Sequence, residues 1–373
     1  ACFSFGWANG TYDNIIDTST RNRLGHIQIH GKGYLEKPSL YNTITNIEAI
    51  RDVLSRADRV SGWAPRIYTA GLASVEEKSA GIQIIGIDPQ REDALTSFSN
   101  SIEEGNYFSS RRNEVILGKD LSRQLEAGIG DQVVIISQAA DGSIANDAFT
   151  VAAIADTGDP QQNRSGFFIT LSSAQELFVL PGEVHEIALN VASLGAVDRV
   201  TANLREKLDS EALEVNSWKE FAESFYNAMK ADKQGMYIML LVVMIIVAIT
   251  VLNTILMAVL ERQKEYGVMK AIGTRPGVIV RMVLNETLIL SLMSIAAGSL
   301  IGFILNYLFS IHGIRLPQAY EFGGIEFEYM KGALTLDSFI LPALTVLATA
   351  VVVSLFPAIK AARTAPAETM RIF

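Results

Sequence analysis

Three uncharged apolar runs constrain this chain more than anything else in it. Met236–Leu260 has 25 residues, Thr287–Phe309 has 23 and Ser338–Ile359 has 22. A helix rises about 1.5 Å per residue, so roughly 20 apolar residues cross the hydrocarbon core of a bilayer. Helices in soluble cores rarely run that far without a charge. The chain therefore reads as a multi-pass membrane protein with spans at 236–260, 287–309 and 338–359.

Lysine and arginine set the orientation, because they favour the cytoplasmic side of short loops. The connection 261–286 holds Arg262, Lys264, Lys270, Arg275 and Arg281, and the tail 360–373 holds Lys360, Arg363 and Arg371. The loop 310–337 has only Arg315 and Lys331. Residues 261–286 and the C-terminal tail are thus expected in the cytoplasm. The loop 310–337 and residues 10–235 are expected outside. The apolar start, ACFSFGW, is expected to be the outer end of a further span over residues 1–9 whose start is missing, the alternative being a mature end left by signal cleavage.

Small and polar residues inside the spans point to helix packing. Gly298 and Gly302 are spaced to let another helix approach closely. Asn253 and Asn306 are polar groups that lipid cannot satisfy, so they are expected to meet another helix. Pro342 and Pro357 are expected near span ends, where they disturb few backbone bonds.

Charge divides the chain. Residues 1–232 carry 20 Lys+Arg and 32 Asp+Glu, net −12, and residues 233–373 carry 11 and 8, net +3, giving the total of −9. An acidic outer part argues against nucleic-acid binding, which needs basic surface. Periodicity within 10–235 mixes strands and helices, so this part is expected to be an α+β domain. Helices at 10–24 and 218–235 would lead to and from the membrane as stalks. LGHIQIHG alternates as a strand, with His26, Gln28 and His30 sharing a face expected to be solvated. Residues 42–57 have helical spacing behind capping residues. Asp141-Gly142 marks a hairpin within 133–154.

No catalytic constellation is present. Residues 118–120, GKD, lack the rest of a phosphate loop, and no G-x-S-x-G elbow appears. Two histidines on one strand fall short of the three or four ligands zinc requires. No metal site, no bound cofactor and no enzyme activity are expected of this chain alone.

What remains is ERQKEYGVMKAIGTRPG, residues 261–277, directly after a span. Glu261, Arg262 and Glu265 with Lys264 and Tyr266 are neighbours at helical spacing. Gly267 permits close backbone approach. Gly273 is placed to end a helix reaching Lys270 in a left-handed cap. Thr274 can cap the next helix and Pro276 suits its first turn. Solvated juxtamembrane charges would explain the basic residues but not this glycine and proline punctuation.

This stretch resembles the signature E-R-x-x-E-x-G-x-x-[KR]-A-[IVL]-G of ABC transporter permeases, the family of MacB, LolC, LolE and FtsX. PAIKAARTAPAETMR, residues 357–371, resembles the family's C-terminal motif. GIDP (86–89), EEGNYF (103–108) and VILGKDLSRQLEAGIGDQVVI (115–135) look similar in the outer domain, so the resemblance covers nearly the whole chain. It implies four spans with the large domain between the first two, in a bacterial inner membrane. It implies a dimer with a second, identical or different, permease chain, and two copies of a separate cytosolic ATPase that hold ATP and Mg. It assigns Glu261, Arg262, Glu265, Gly267, Lys270, Gly273, Thr274, Arg275 and Pro276 to the contact with that ATPase. The motion would pass through the stalks to an outer domain that acts on a periplasmic partner or lipophilic cargo.

The opening STRNRLGHIQIHGKGY and the GIDP stretch look closest to the LolC/LolE branch, which implies release of lipoprotein from the outer leaflet. Two alternatives are a MacB-like efflux pump and an FtsX-like activator of cell-wall hydrolases. One departure concerns the 133–154 hairpin, which turns tightly at Asp141-Gly142 where LolC carries a longer hook that recruits its carrier.

Overall fold

The computed structural model describes residues 2–109, 113–208, 211–322 and 325–363. The chain forms two compact units, one of Ala1–Asn14, Met229–Gln318 and Glu328–Phe373, the other of Ile15–Ala228 with Ala319–Phe327.

The second unit is built on a ten-stranded mixed sheet. Its strands are β1 (Ile27–Gly31), β2 (Val60–Val75), β3 (Lys78–Ile87), β4 (Ile102–Gly105) and β5 (Glu114–Gly118). They continue with β6 (Gln132–Gln138), β7 (Ile144–Ala155), β8 (Gly166–Thr170), β9 (Glu186–Val191) and β10 (Leu213–Ser217). The order is β10-β1-β9-β2-β3-β8-β5-β7-β4, with β6 bridging β2 and β7. Among the described residues only β3–β8 and β5–β7 run parallel. Helix α1 (Cys2–Ser19) enters this unit, and α2 (Ile47–Ser55), α3 (Pro89–Thr96), α4 (Lys119–Leu125), α5 (Pro160–Ser165), α6 (Leu171–Leu177) and α7 (Val197–Lys207) lie within it. This is the mixed α+β domain expected from the periodicity.

Local chemistry explains several boundaries. Asn46, Asp88, Asp159 and Thr170 cap α2, α3, α5 and α6 by accepting from backbone N–H groups of the first turn. Proline follows the cap of α3 and of α5 at the first helical position. The hairpin β6–β7 turns at Gly142, whose φ of 87° is left-handed, and Gly142 N–H donates to the Ala139 carbonyl.

The histidine face of β1 departs from expectation. All five residues of β1 are buried, and His26 and His30 are 0% and 1% exposed. β1 lies between β9 and β10, and its histidine face is filled as well: Tyr34 stacks on His30 at 5.1 Å and Glu186 lies 3.2 Å from it. Alternation tells which side a residue faces, not whether that side is wet.

The first unit holds the long helices. Helices α9 (Glu223–Glu261), α11 (Pro276–His312) and α12 (Asp337–Arg363) are each long and apolar enough to cross a membrane. The short α8 (Trp218–Phe221) precedes α9, and α10 (Gln263–Ala271) follows it. Strands β11 (Ile314–Phe322) and β12 (Ile325–Met330) pair in a hairpin between α11 and α12. Residues 364–371, the end of the C-terminal motif, lie outside the described residues.

Three helical boundaries differ from the sequence reading. The segment 218–235 is not one helix: Ala222 leaves helical backbone at φ −108° and ψ 45°, after a capping box of Ser217 and Glu220 starts α8. The segment 10–24 is helical only to Ser19, then widens into a π-helical turn over Thr20–Leu24. Helix α12 runs on to Arg363, so Pro357 sits well inside it rather than at its end.

Small residues pack α1 on its neighbours in this unit. A Cβ on Gly6 would lie 2.3 Å from Asn306 Nδ2, and one on Gly10 would lie 2.3 Å from Ala333 N. The Asn306 amide donates to the Cys2 carbonyl at 3.2 Å, and Ala333 N–H donates to the Gly6 carbonyl at 2.9 Å. A Cβ on Gly302 would lie 3.0 Å from Cys2 Cβ in the same contact, whereas one on Gly298 would meet nothing within 4 Å. Asn253 is exposed on α9.

Candidate functional site

The segment after α9 folds as a short helix pinned to α12. Helix α9 ends at Glu261 and α10 begins at Gln263, so Arg262 interrupts what the sequence reading took as one helix. Tyr266 is buried with Ile255, Val259, Ile279, Val283, Ala358 and Ala361. Gly267 is buried beside it. The Lys270 ammonium donates to the Ala362 carbonyl at 2.8 Å. Arg262 reaches Glu286 on α11 at 3.3 Å, an exposed pair worth little on its own. Small alanines on α12 are what allow Tyr266 to seat so deeply.

The end of α10 is a complete Schellman motif. Gly273 has φ 97°, its N–H donates to the Lys270 carbonyl at 3.0 Å, and Thr274 N–H donates to the Met269 carbonyl at 2.9 Å. Thr274 therefore closes this helix and does not cap the next. Arg275 takes the N-cap position of α11 with no side-chain bond, and Pro276 follows in its first turn. The turn reverses the chain within four residues and leaves one face of α10 open. Glu261, Lys264, Glu265 and Arg275 are exposed there. So are Val268 (54%) and Ile272 (78%), one turn apart. Sequence alone gives these two no contact role and places Tyr266 only as a neighbour of Arg262 at helical spacing. Their signal was the i, i+4 spacing of Val268 and Ile272 away from the buried face.

A second concentration of polar groups is buried in the outer unit. Arg66 on β2 makes a bidentate pair with Glu92 at 2.9 and 2.7 Å and reaches Glu186 at 2.9 Å. Its other donors go to Tyr68 Oη at 3.4 Å and to the Arg23 carbonyl at 2.7 Å. All five N–H groups are used, which lysine could not reproduce. His30 Nε2 lies 3.2 Å from the far oxygen of Glu186. Burial pushes the Glu186 carboxyl up, but His30 and Arg66 outweigh it and hold the group below the usual carboxylate range. Burial opposes the Arg66 charge in the same way, and Glu92 and Glu186 outweigh it. Tyr34 stacks between His30 and His185, at 5.1 and 5.6 Å between ring centres. Of these groups His30, Tyr34, Tyr68 and Glu186 border a cleft of about 620 Å³ that Leu35, Pro38 and Leu40 also line. None was singled out from sequence as an ion pair, because Arg66, Glu92 and Glu186 are 26 and 94 residues apart along the chain.

Neither place assembles a nucleophile with a base, and among the described residues no group of three His, Cys, Asp or Glu is placed to hold a metal.

Comparison with known proteins accords with this architecture. Residues 2–207 match the MacB-like periplasmic core domain and residues 237–366 match the FtsX-like permease C-terminal domain. Together these define a membrane permease with a periplasmic core. The chain belongs to the ABC transporter permease family of LolC, LolE and MacB. It is 23% identical to the lipoprotein-releasing system transmembrane protein LolC of Neisseria meningitidis, over 96% of this chain and 88% of the relative. It is 20% identical to the lipoprotein-releasing system transmembrane protein LolE of Haemophilus influenzae, over 88% and 81%. The crystal structure of the periplasmic region of MacB from Actinobacillus actinomycetemcomitans covers 57% of this chain and 98% of its own, at 15% identity and a TM-score of 0.40. The chain is thus an inner-membrane permease with a periplasmic domain.

Proposed function

We propose that this permease couples ATP hydrolysis by a separate cytosolic ATPase to motion of its periplasmic domain, and that the motion releases lipoprotein or other lipophilic cargo from the outer leaflet. The observation that carries the coupling is the open face of α10. A helix anchored by Tyr266 and Lys270 on α12, and ended by a rigid glycine cap, presents Val268 and Ile272 between charges. Exposed apolar side chains ringed by charge are the composition of a protein contact. Anchoring matters because a contact can push the spans only if it does not yield itself. ATP and Mg belong to the partner, two copies of which would serve a dimer of permease chains. The lipophilic cargo rests on the likeness to LolC and LolE along almost the whole chain.

The test is co-purification. The unsubstituted chain brings down its ATPase, and Glu265→Lys or Ile272→Asp lowers the yield at least tenfold while the outer domain stays folded. Equal recovery with both variants would remove the contact. Release of a labelled lipoprotein from proteoliposomes on adding ATP tests the cargo, and release of a lipid-free macrolide instead would point to efflux.

A further inference from the structure

The π-helical turn that ends α1 is held in an unusual way. A wide turn leaves carbonyls without helical partners, and such groups usually find water or a neighbouring backbone N–H. Here three of them are taken by side chains from three strands. The Asn190 amide on β9 donates to the Arg21 carbonyl at 3.0 Å and also to the Leu95 carbonyl at 2.7 Å. Arg66 on β2 donates to the Arg23 carbonyl at 2.7 Å. The Gln28 amide on β1 donates to the Leu24 carbonyl at 2.9 Å. Arg66, Asn190 and Gln28 are each at least 96% buried.

The turn is closed on its own side as well. Gly25 N–H donates to the Thr20 carbonyl at 2.6 Å and the Thr20 hydroxyl donates to the Ile16 carbonyl at 2.6 Å. Gly25 has φ 78°, and a Cβ there would lie 3.0 Å from Leu189 N, so the chain presses directly on β9. Arg23 pairs with Asp159 at 3.0 Å across the rim. A hinge would show the opposite: few buried contacts and water-exposed backbone bonds.

We propose that Gln28, Arg66 and Asn190 form a clamp that welds the end of α1 and its π-helical turn, residues 15–24, to the outer sheet, so that this helix end and the sheet move as one body. This rests on the coupling reading above and names the joint through which it acts. Arg66 is a positioning residue: Glu92 and Glu186 hold its fork fixed, and one N–H of that fork holds the helix end. The flexible places in the stroke then lie elsewhere, Ala222 between α8 and α9 being one where regular helix breaks.

The experiment uses the full chain. Gln28→Met with Asn190→Leu removes two of the three ties by near-isosteric replacement and leaves the ion cluster intact. Arg66→Lys keeps the charge but loses the fork. Amide hydrogen exchange over Thr20–Gly25 is expected to rise about tenfold in each, with β2, β3 and β8 unchanged. Exchange within twofold of the parent protein in both variants overturns the clamp, and this measurement needs no ATPase. The second arm places spin labels at Asp17→Cys near the end of α1 and Ser79→Cys on β3, in a Cys2→Ser background, with the ATPase bound. The distance between them is expected to stay fixed on adding ATP, and to spread in the Gln28→Met/Asn190→Leu variant while hydrolysis continues. A change of that distance in the parent protein overturns the one-body reading. Failure of the ATPase to co-purify with the parent strikes the coupling reading instead, and the exchange arm still decides the clamp.

Discussion

His185 Nδ1 accepts a hydrogen bond from the backbone N–H of Tyr68 at 3.1 Å. Its other ring nitrogen is 3.1 Å from the Leu40 carbonyl, so the network assigns the proton to Nε2 and the ring is neutral. Through these two bonds a strand is tied to the segment that walls the cleft.

That tie carries a pH dependence. Burial pulls the His185 imidazole below its ordinary value of 6.5, outweighing Glu183 and Glu186, which favour the charged form, while His30 adds to the lowering. Protonating Nδ1 would also set two donors against each other. Folding therefore favours the neutral ring, and the stabilisation is full above about pH 6.5 and lost as pH falls through the lower folded value. Proteolysis or hydrogen exchange over residues 32–44 is expected to quicken between pH 7 and pH 5. His185→Gln, which keeps one donor and one acceptor, is expected to flatten that profile.

The buried ion cluster makes a second prediction. Arg66→Met leaves Glu92 and Glu186 desolvated with no cation, a change that costs about 3–5 kcal/mol. One carboxylate then stays protonated in the fold, so the loss grows as pH rises above the usual carboxylate range. Thermal unfolding at pH 5 and pH 8 reads this. Adding Glu92→Gln to Arg66→Met is expected to recover part of the loss at pH 8.

Gly273 and Gly277 separate backbone strain from packing. A Cβ at either meets nothing within 4 Å, but only Gly273 has positive φ, at 97°. Gly273→Ala is expected to cost about 1 kcal/mol and to weaken ATPase co-purification by loosening the cap of α10. Gly277→Ala, in the first turn of α11, is expected to be neutral or slightly stabilising. Equal effects of the two would remove the Schellman cap from the mechanism.

In the membrane unit, Gly6 fixes how closely α1 can lie against α11. Gly6→Leu would drive its first carbon to 2.3 Å from Asn306 Nδ2 and 2.9 Å from the Ala333 carbonyl oxygen, a backbone atom that cannot swing aside. The expected loss is about 1–3 kcal/mol for overpacking, read as a lower melting temperature in detergent. Gly298→Leu, one turn from Gly302 but open within this chain, is expected to leave that temperature unchanged. A fall there would place another helix on Gly298.

Much of this architecture was legible because its signals are local. Long uncharged runs mark α9, α11 and α12, since charge is the one thing a bilayer core does not accept. Alternation and turn residues mark the β6–β7 hairpin and the strand-to-helix passage from β8 to α6. The glycine and proline after α10 mark a sharp reversal. Local signals misplace what depends on neighbours. Thr274 is an ordinary capping residue, yet the Schellman hydrogen bond claims its N–H and Arg275 becomes the cap. His26 and His30 alternate like a wet strand face, yet Tyr34 and Glu186 close over His30 and the Val191 N–H donates to His26 Nδ1.

By itself the sequence determined which segments are membrane helices, which form an α+β periplasmic domain, and where the chain turns between α10 and α11. Periodicity, length and charge are properties of adjacent residues, so no fold is needed to read them. Only the tertiary structure decided that Arg66, Glu92 and Glu186 meet, and that Gln28, Arg66 and Asn190 grip one helix end. It also decided that Tyr266 anchors α10 on α12. Those contacts join residues tens to hundreds of positions apart, and sheet order and helix packing bring them within hydrogen-bond reach.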